Sequence, residues 1–144
     1  MTDEEYMDIA LTLAKKSLKY EDVPVGAIIV MNDKIVAKGY NQRVKNKKTC
    51  DHAEIIAIKN ANKKLKNSRL DGATIYTTKE PCLMCMGAIL SAKIKRVVYG
   101  ASDLRFGTSE LGENNHFNHK CEITAGVRRN ECKKYLSDFF KKLR

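Results

Sequence analysis

Hydrophobic positions along the chain change repeatedly between helical and strand spacing. Apolar residues recur every three or four positions after Thr2, which forms a capping box with Glu5, and this pattern predicts a first helix ending before Val23-Pro24. Two largely apolar runs follow, at residues 25–31 and 34–40, on either side of a short polar turn. They predict an antiparallel β-hairpin.

The middle of the chain alternates in the same way. Residues 43–48 are basic and aperiodic, which predicts a loop, and a second helix opens at Asp51-His52. Residues 73–77 predict a strand, a third helix carries Pro81 in its first turn and runs to about residue 92, and residues 96–101 predict another strand. The second helix places five apolar residues on one side: Ile55, Ala57, Ile58, Ala61 and Leu65.

The last third of the chain has a weaker pattern. Residues 102–120 are polar and aperiodic, and we interpret them as an ordered or lid-like loop before a short strand near 121–124. A final helix over 129–142 would bury Cys132, Leu136 and either Phe139 or Phe140. Alternating helices and strands imply parallel pairing with right-handed crossovers. We therefore expect an α/β fold of three α/β/α layers, with a central mixed sheet of about five strands.

Length and charge narrow the class of protein. With 144 residues the chain is long enough for one domain with a real core, spanning 1–144, and too short for two ordinary ones. Its 27 Lys and Arg against 17 Asp and Glu give a net charge of +10, which favours an anionic partner, nucleic acid before membrane phosphate. The alternative is a lysine-rich surface that serves only solubility. Three clusters of basic residues contribute to this charge: Lys45, Lys47 and Lys48; Lys93, Lys95 and Arg96; and Lys141, Lys142 and Arg144.

The N-terminus and the cysteines bear on location. The first residues are acidic where a signal peptide would be basic, and no apolar run reaches the roughly 18 residues that cross a bilayer, so we expect a cytoplasmic protein without a membrane partner. Five cysteines is an odd number, and two of them form the pair Cys82-x-x-Cys85. In a reducing compartment this spacing favours metal or redox chemistry over disulfides.

Three residues of two short motifs have the chemistry of a catalytic zinc site. His52, Cys82 and Cys85 each lie at the start of a predicted helix, where the dipole and free N–H groups favour thiolate over thiol. Two thiolates and one imidazole leave the fourth tetrahedral position open for water, as catalytic zinc sites do. Glu54 lies two residues after the histidine and is a candidate proton carrier rather than a ligand.

Other interpretations of these residues stay open at this stage. The cysteine pair could be a redox pair, and the zinc could be purely structural. Cys50 is either a plain loop cysteine or a residue that crowds or replaces a ligand, and Cys121 and Cys132 have the character of buried apolar residues. His116 and His119 are more simply surface or capping histidines than a second metal site.

The motifs together resemble the bacterial tRNA adenosine deaminases, within the cytidine deaminase-like superfamily. The resemblance extends over nearly the whole chain and implies the fold of that superfamily, one Zn²⁺ per chain, and hydrolytic deamination of adenosine to inosine at the wobble position of a tRNA anticodon. It also implies a homodimer that binds the anticodon stem-loop. The segments that carry it are Val-Pro-Val-Gly-Ala at 23–27, Gly-Tyr-Asn at 39–41, His-Ala-Glu-Ile at 52–55, 69–74, Glu-Pro-Cys-Leu-Met-Cys-Met-Gly-Ala at 80–88, 96–101, Asp103, Phe-Asn-His at 117–119 and Leu-Ser-Asp-Phe-Phe at 136–140.

The resemblance also implies roles for individual residues. Asn41 would hold the target nucleoside, and Asp103 would approach a ribose or a neighbouring base. Ala53 and Pro81 would also belong to the substrate-binding set. The residues implied for flanking nucleotides are Arg43, Arg69, Asn118 and Phe140.

The chain departs from the family pattern in three places: Lys79 before Glu-Pro-Cys, Cys50-Asp51 before His-Ala-Glu, and a short loop over 107–116. Two other functions therefore remain in view. One is deamination of a free base such as guanine or cytosine. The other is a zinc-stabilised RNA-binding module without catalysis, in which Glu54 has no role.

Overall fold

The computed structural model describes residues 1–143, with helices and strands in nearly the predicted alternation. Arg144, counted above in the basic tail, lies outside the described residues. The strands are β1 (Gly26–Met31), β2 (Lys34–Tyr40), β3 (Thr74–Lys79), β4 (Arg96–Ala101) and β5 (Glu122–Thr124). The α-helices are α1 (Asp3–Ser17), α2 (Arg43–Asn46), α3 (Ala53–Leu65), α4 (Leu83–Ser91), α5 (Ser109–Glu113) and α6 (Arg129–Lys142), and a 3₁₀ turn, Leu18–Tyr20, follows α1.

The five strands form one mixed sheet in the order β2-β1-β3-β4-β5. β1 and β2 form the predicted antiparallel hairpin, and Asn32 and Asp33 at its turn both have left-handed backbone conformations. β3, β4 and β5 are parallel neighbours, as predicted. The crossover through α3 also joins two strands of the same direction, β2 and β3. They are not paired with each other as predicted, because β1 lies between them and runs antiparallel to both.

Helices cover both faces of the sheet, which confirms the three layers. On one face α1 and α6 pack on alternate residues of the inner strands, among them Ile28, Tyr76 and Val98. On the other face α3 and α4 pack on the intervening residues, among them Ile29, Ile75 and Val97. Adjacent strand residues point to opposite faces, so both sides of these strands are apolar and buried.

Gly39 on β2 allows the start of α3 to lie directly against the sheet. A Cβ at this position would be 2.5 Å from the carbonyl oxygen of Ala53 and 2.8 Å from the backbone nitrogen of Ala57. A larger residue would therefore push α3 away. The consequence is that the first turn of α3 lies beside the end of β2, where Asn41 follows.

Several local predictions are corrected by the structure. Residues 43–46 form the short helix α2 rather than a loop, because the Asp22 carboxylate accepts a hydrogen bond from the N–H of Val44. The 102–120 segment is ordered and contains α5. Cys82 is the N-cap of α4, with an extended backbone, so Pro81 precedes the helix instead of lying in its first turn.

The burial of three apolar residues also differs from the prediction. Ile55 is only half-buried, and Leu65 is exposed because it ends α3 where the backbone turns left-handed at Lys66. On α6, Leu136 is only half-buried. Of the two alternatives that the sequence leaves open, Phe139 is buried and Phe140 is 43% exposed. Among residues 1–143, no helix is long and apolar enough to span a membrane.

Candidate active site

Three ligand atoms converge where α3 and α4 begin. His52 is the N-cap of α3, Cys82 is the N-cap of α4, and Cys85 lies in the first turn of α4. The Sγ atoms of Cys82 and Cys85 lie 3.6 Å and 3.5 Å from Nδ1 of His52. Tetrahedral Zn²⁺ with its usual bond lengths separates a sulfur and a nitrogen ligand by about 3.6 Å. The three residues therefore have the spacing of a zinc site.

The electrostatics of the cluster favour a bound cation. The pKa of the Cys82 thiol is lowered to about 3, because the Cys85 thiol and the His52 ring both hydrogen-bond to its sulfur. The same hydrogen bond, together with burial, raises the pKa of Cys85. Thiols lose their protons when they bind a metal ion, so metal binding at this cluster releases protons. Two thiolates and a neutral imidazole are a ligand set that binds Zn²⁺, and they form one zinc site in the chain.

Glu54 lies beside this cluster in the first turn of α3, as predicted. Its side chain is buried, and burial raises the pKa of the carboxyl, although the nearby His52 opposes the change. A carboxyl group whose pKa is raised by burial holds a proton more readily, which suits a group that accepts and then donates a proton during a reaction. Glu54 also lines the same cavity as His52 and Cys82.

That cavity, which we call the pocket, has a volume of about 120 Å³. Six of the residues proposed from sequence line it: Asn41, Arg43, His52, Ala53, Glu54 and Cys82. The remaining lining residues are Asp22, Val23, Val25, Lys79 and Glu80. Apolar side chains on one part of the wall and polar groups on another suit a flat, hydrogen-bonding ligand.

The Asn41 amide is fixed within the wall of the pocket. Its Nδ2 donates to Oδ1 of Asp22 and to the carbonyl oxygen of Val23, each at 3.1 Å. Its Oδ1 is buried and has no hydrogen-bond partner among the described residues. An unpaired buried acceptor costs free energy, and in a binding pocket a ligand can supply the missing donor.

Glu80 and Pro81 hold the segment after β4 against the pocket. The Glu80 carboxylate accepts hydrogen bonds from the N–H groups of Asp103 and Ser109, at 2.9 Å and 3.1 Å, and from the Ser109 hydroxyl. The Thr108 hydroxyl donates to the carbonyl oxygen of Pro81 at 2.8 Å. Pro81, predicted to bind substrate, does not itself line the pocket, and the segment is anchored rather than a free lid.

A larger and more open depression, which we call the groove, adjoins the pocket through Lys79. It has a volume of about 840 Å³ and lies between the segment after β4 and helix α6. Of the predicted residues, Asp103 and Phe140 line it; Asp103 pairs with the Lys79 ammonium at 3.2 Å, and Phe140 packs edge-on against Phe139. Its charged lining is one carboxylate and five cations: Lys79, Arg105, Arg129, Lys133 and Lys141.

The structure does not bring every predicted residue to these cavities. Arg69 is exposed and pairs with Asp71, and Asn118 is exposed in the segment before β5; neither lines the pocket or the groove. Their assigned contacts with RNA stay predictions. Cys50 is exposed and is not part of the metal cluster, so it is the plain loop cysteine. The His119 ring lies 2.7 Å from the carbonyl oxygen of Ile94, which is a capping contact.

Asp22 and Lys79 are two charged residues of the site that lie outside the substrate-binding set predicted from sequence. Asp22 is buried in the pocket wall, and Lys79 lies between the pocket and the groove. An acidic residue directly before Val-Pro is the signal that the sequence offers for Asp22. Lys79 is a departure from the family pattern, and this departure changes the polarity of the pocket wall.

Comparison with known proteins agrees with this site. Residues 1–101 match the family described as the zinc-binding region of cytidine and deoxycytidylate deaminases. The chain is 42% identical to the tRNA-specific adenosine deaminase of Bacillus subtilis, over 99% of this chain and 91% of that protein. It is 44% identical to that of Haemophilus influenzae, over 99% and 85%.

A solved structure from studies of A-to-I editing by tRNA:A34 deaminases superposes with a TM-score of 0.86 at 32% identity, covering 92% of this chain and 99% of that one. The predicted fold is thereby confirmed. The chain belongs to the cytidine and deoxycytidylate deaminase zinc-binding family and, within it, to the tRNA-specific adenosine deaminases.

Proposed function

We propose that this protein is a zinc-dependent deaminase that converts adenosine to inosine at the wobble position of a tRNA anticodon. The observation that carries the proposal is the buried Glu54 beside the His52, Cys82 and Cys85 cluster, in a pocket that opens next to a basic groove. Two relatives that are similar over nearly the full chain are tRNA-specific adenosine deaminases, and the superposing structure comes from studies of A-to-I editing at the wobble position of tRNA.

The pocket residues divide the chemistry between them. When bound, Zn²⁺ supplies a Lewis acid that makes water a nucleophile near neutral pH. Glu54 takes a proton from the attacking water and delivers it to the departing amine, so that adenosine and water become inosine and ammonia. Asn41 offers its unpartnered Oδ1 to the nucleoside, and Val23, Val25 and Ala53 provide an apolar wall for the base.

The groove suits the nucleotides on either side of the target. Lys79, Arg105, Arg129, Lys133 and Lys141 can neutralise phosphates, and the exposed ring of Phe140 offers a face on which an unpaired base can stack. Asp103 lies beside Lys79 in this groove, and its carboxylate can accept a hydrogen bond from a ribose hydroxyl. A free base would use the pocket and have no need of the groove.

The test is an assay on an RNA stem-loop that has adenosine at the wobble position. The protein is first analysed for zinc, and inosine is measured by mass after incubation. Parallel reactions contain free guanine, free cytosine, and the same stem-loop with Glu54→Ala protein. We expect inosine in the RNA with the wild-type protein, and none with the variant even though it still binds zinc and RNA.

Other results would contradict the proposal in distinct ways. Turnover of a free base without turnover of the RNA would identify a base deaminase of the same fold. Binding of zinc and RNA without any product would identify a non-catalytic RNA-binding module. A chain that purifies without zinc and with Cys82 and Cys85 oxidised to an exchanging disulfide would support redox chemistry.

We further propose that the chain acts as one deaminase domain, that it works in the cytoplasm, and that it does so as a homodimer.

The dimer proposal is supported by the solvent-facing side of α4, which is uncharged and therefore unusual for a free helix surface. It is formed by Leu83, Gly87 and Ser91 with the half-exposed Met84 and Ala88. A Cβ at Gly87 would meet nothing within 4 Å, so Gly87→Glu adds a charge without a clash inside the chain. We expect a dimer by sedimentation for the wild-type protein and a monomer for this variant. A wild-type monomer would contradict the dimer.

A further inference from the structure

Asp22 connects three parts of the pocket wall through hydrogen bonds. Its side chain is buried, and its Oδ1 accepts from the N–H of Val23 at 3.0 Å and from Nδ2 of Asn41 at 3.1 Å. Its Oδ2 accepts from the N–H of Val44, the residue after Arg43, at 2.8 Å. One carboxylate thus contacts the segment before β1, the end of β2 and the short helix α2.

These contacts decide which way the Asn41 amide faces. The partners of Nδ2, a carboxylate oxygen and a carbonyl oxygen, can only accept hydrogen bonds. If the amide were turned over, its oxygen would face both acceptors and lose two hydrogen bonds. Both hydrogens of Nδ2 are therefore used within the protein, and Oδ1 is the atom left for a ligand.

We propose that Asp22 is a positioning residue that fixes Asn41 as a hydrogen-bond acceptor for the bound nucleoside. The inference rests on the proposed function and extends it to the chemistry of the contact. An adenine ring nitrogen such as N7 only accepts, so it cannot bond to Oδ1. The ligand group that meets Asn41 is one that donates, an exocyclic amine or a ribose hydroxyl. Through Val44, Asp22 also holds α2 and thereby Arg43 at the pocket.

The experiment compares Asp22→Asn, Asn41→Ala and the double variant on the stem-loop RNA, with kcat and KM measured separately. An asparagine at position 22 can donate to Asn41 and so allows its amide to turn over. A hydrogen bond involving a charged group corresponds to a loss of about tenfold to a hundredfold in kcat/KM, and we expect this for each single variant. If Asp22 acts through Asn41, the double variant loses little more than either single one.

Asp3→Asn is the matched control. Asp3 is also a carboxylate with three side-chain hydrogen bonds, from Tyr76 and from both terminal nitrogens of Arg96, but it does not line the pocket. We expect it to lower stability and leave kcat/KM unchanged. Should Asp22→Asn fail to fold, Asn41→Asp breaks the same hydrogen bond from the other side: it sets a carboxylate against the Asp22 carboxylate and the Val23 carbonyl oxygen, and this repulsion displaces the side chain at position 41. The proposal therefore expects a comparable loss.

The outcomes separate this inference from the proposed function. Wild-type protein that leaves the RNA unchanged would overturn the proposed function. If the wild-type protein is active, the proposed function stands. The inference alone would then be overturned by an Asp22→Asn variant that has full zinc content and a kcat/KM within twofold of wild type. Losses that multiply in the double variant would also overturn it, because Asp22 would then act independently of Asn41.

Discussion

The pocket and the groove share Lys79 and are built in different ways. The pocket is small, and its reactive residues come from the starts of α3 and α4 and from the chain just after β2, elements that the buried sheet holds in place. The groove is open, and its cations extend from the segment after β4 and from α6. The proposed chemistry thus depends on residues that the buried sheet holds in place, whereas the proposed recognition of RNA depends on exposed side chains that can be replaced one at a time.

The largest effect is expected from loss of a ligand in the pocket. Cys82→Ser should remove most of the zinc and lower kcat/KM by more than about a thousandfold, because water is then not activated. Zinc content by mass spectrometry and inosine formation measure the two effects. Cys50→Ser, at an exposed cysteine two residues before His52, is the control and should keep full zinc. Full activity of the Cys82 variant would contradict the assignment.

Glu54→Gln should have the next largest effect. The amide keeps the shape of the side chain but cannot carry a proton, so we expect kcat to fall by about 10²- to 10⁴-fold with zinc retained. Single-turnover rates with saturating RNA measure this step without the influence of binding. A rise in KM with unchanged kcat would instead indicate that Glu54 only binds the substrate.

The groove should respond in binding rather than in chemistry. Phe140→Ala removes the exposed ring. Loss of one stacked base weakens RNA binding by about 1–3 kcal/mol, so we expect KM to rise roughly tenfold or more. Phe140→Tyr keeps the ring and should restore affinity. A loss of kcat for the alanine variant at saturating RNA would mean that the groove is not separate from the chemistry.

Lysine substitutions on α6 should have smaller effects, visible mainly in their dependence on salt. Lys133 lines the groove, whereas its neighbour Lys134 pairs with Asp138 and does not. Lys133→Ala should weaken RNA binding and reduce the slope of log affinity against log salt by about 1, because one phosphate contact is lost. Lys134→Ala should leave that slope unchanged. Equal slopes of log affinity against log salt for both variants would indicate that the RNA does not contact the groove at Lys133.

The smallest effect concerns stability away from both cavities. The Arg96 guanidinium, with the Tyr76 hydroxyl, holds the pKa of Asp3 below its usual value of 3.8. A lowered pKa in the folded state stabilises the protein above that value, and the contribution is lost as the pH falls through the lowered pKa. Asp3→Asn should therefore cost about 1–3 kcal/mol in the free energy of unfolding at pH 7 and progressively less below pH 4. Urea unfolding over this range measures it, and a constant difference would exclude the ion pair as the cause.

Prediction from sequence succeeded where a residue's role depends on its near neighbours. The capping box at Thr2, the hairpin and the helix starts at His52 and Cys82 all depend on contacts within a few residues. Sequence-based prediction failed at α2, because the helix is held by a hydrogen bond from the N–H of Val44 to the carboxylate of Asp22, which is distant along the chain. It also could not choose between Phe139 and Phe140, since which ring is buried depends on how α6 lies on β4.

By itself, the sequence determined the fold class, the zinc ligands and the position of Glu54, the proposed proton carrier. The identity of the ligands follows from the residue types, and the spacing of two positions from His52 to Glu54 is local. Only the tertiary structure decided that Asp22, 19 residues before Asn41, orients its amide, and that Lys79 joins the pocket to the groove. Such contacts join residues distant along the chain, and they exist only once the sheet and its two helical layers have brought those residues together.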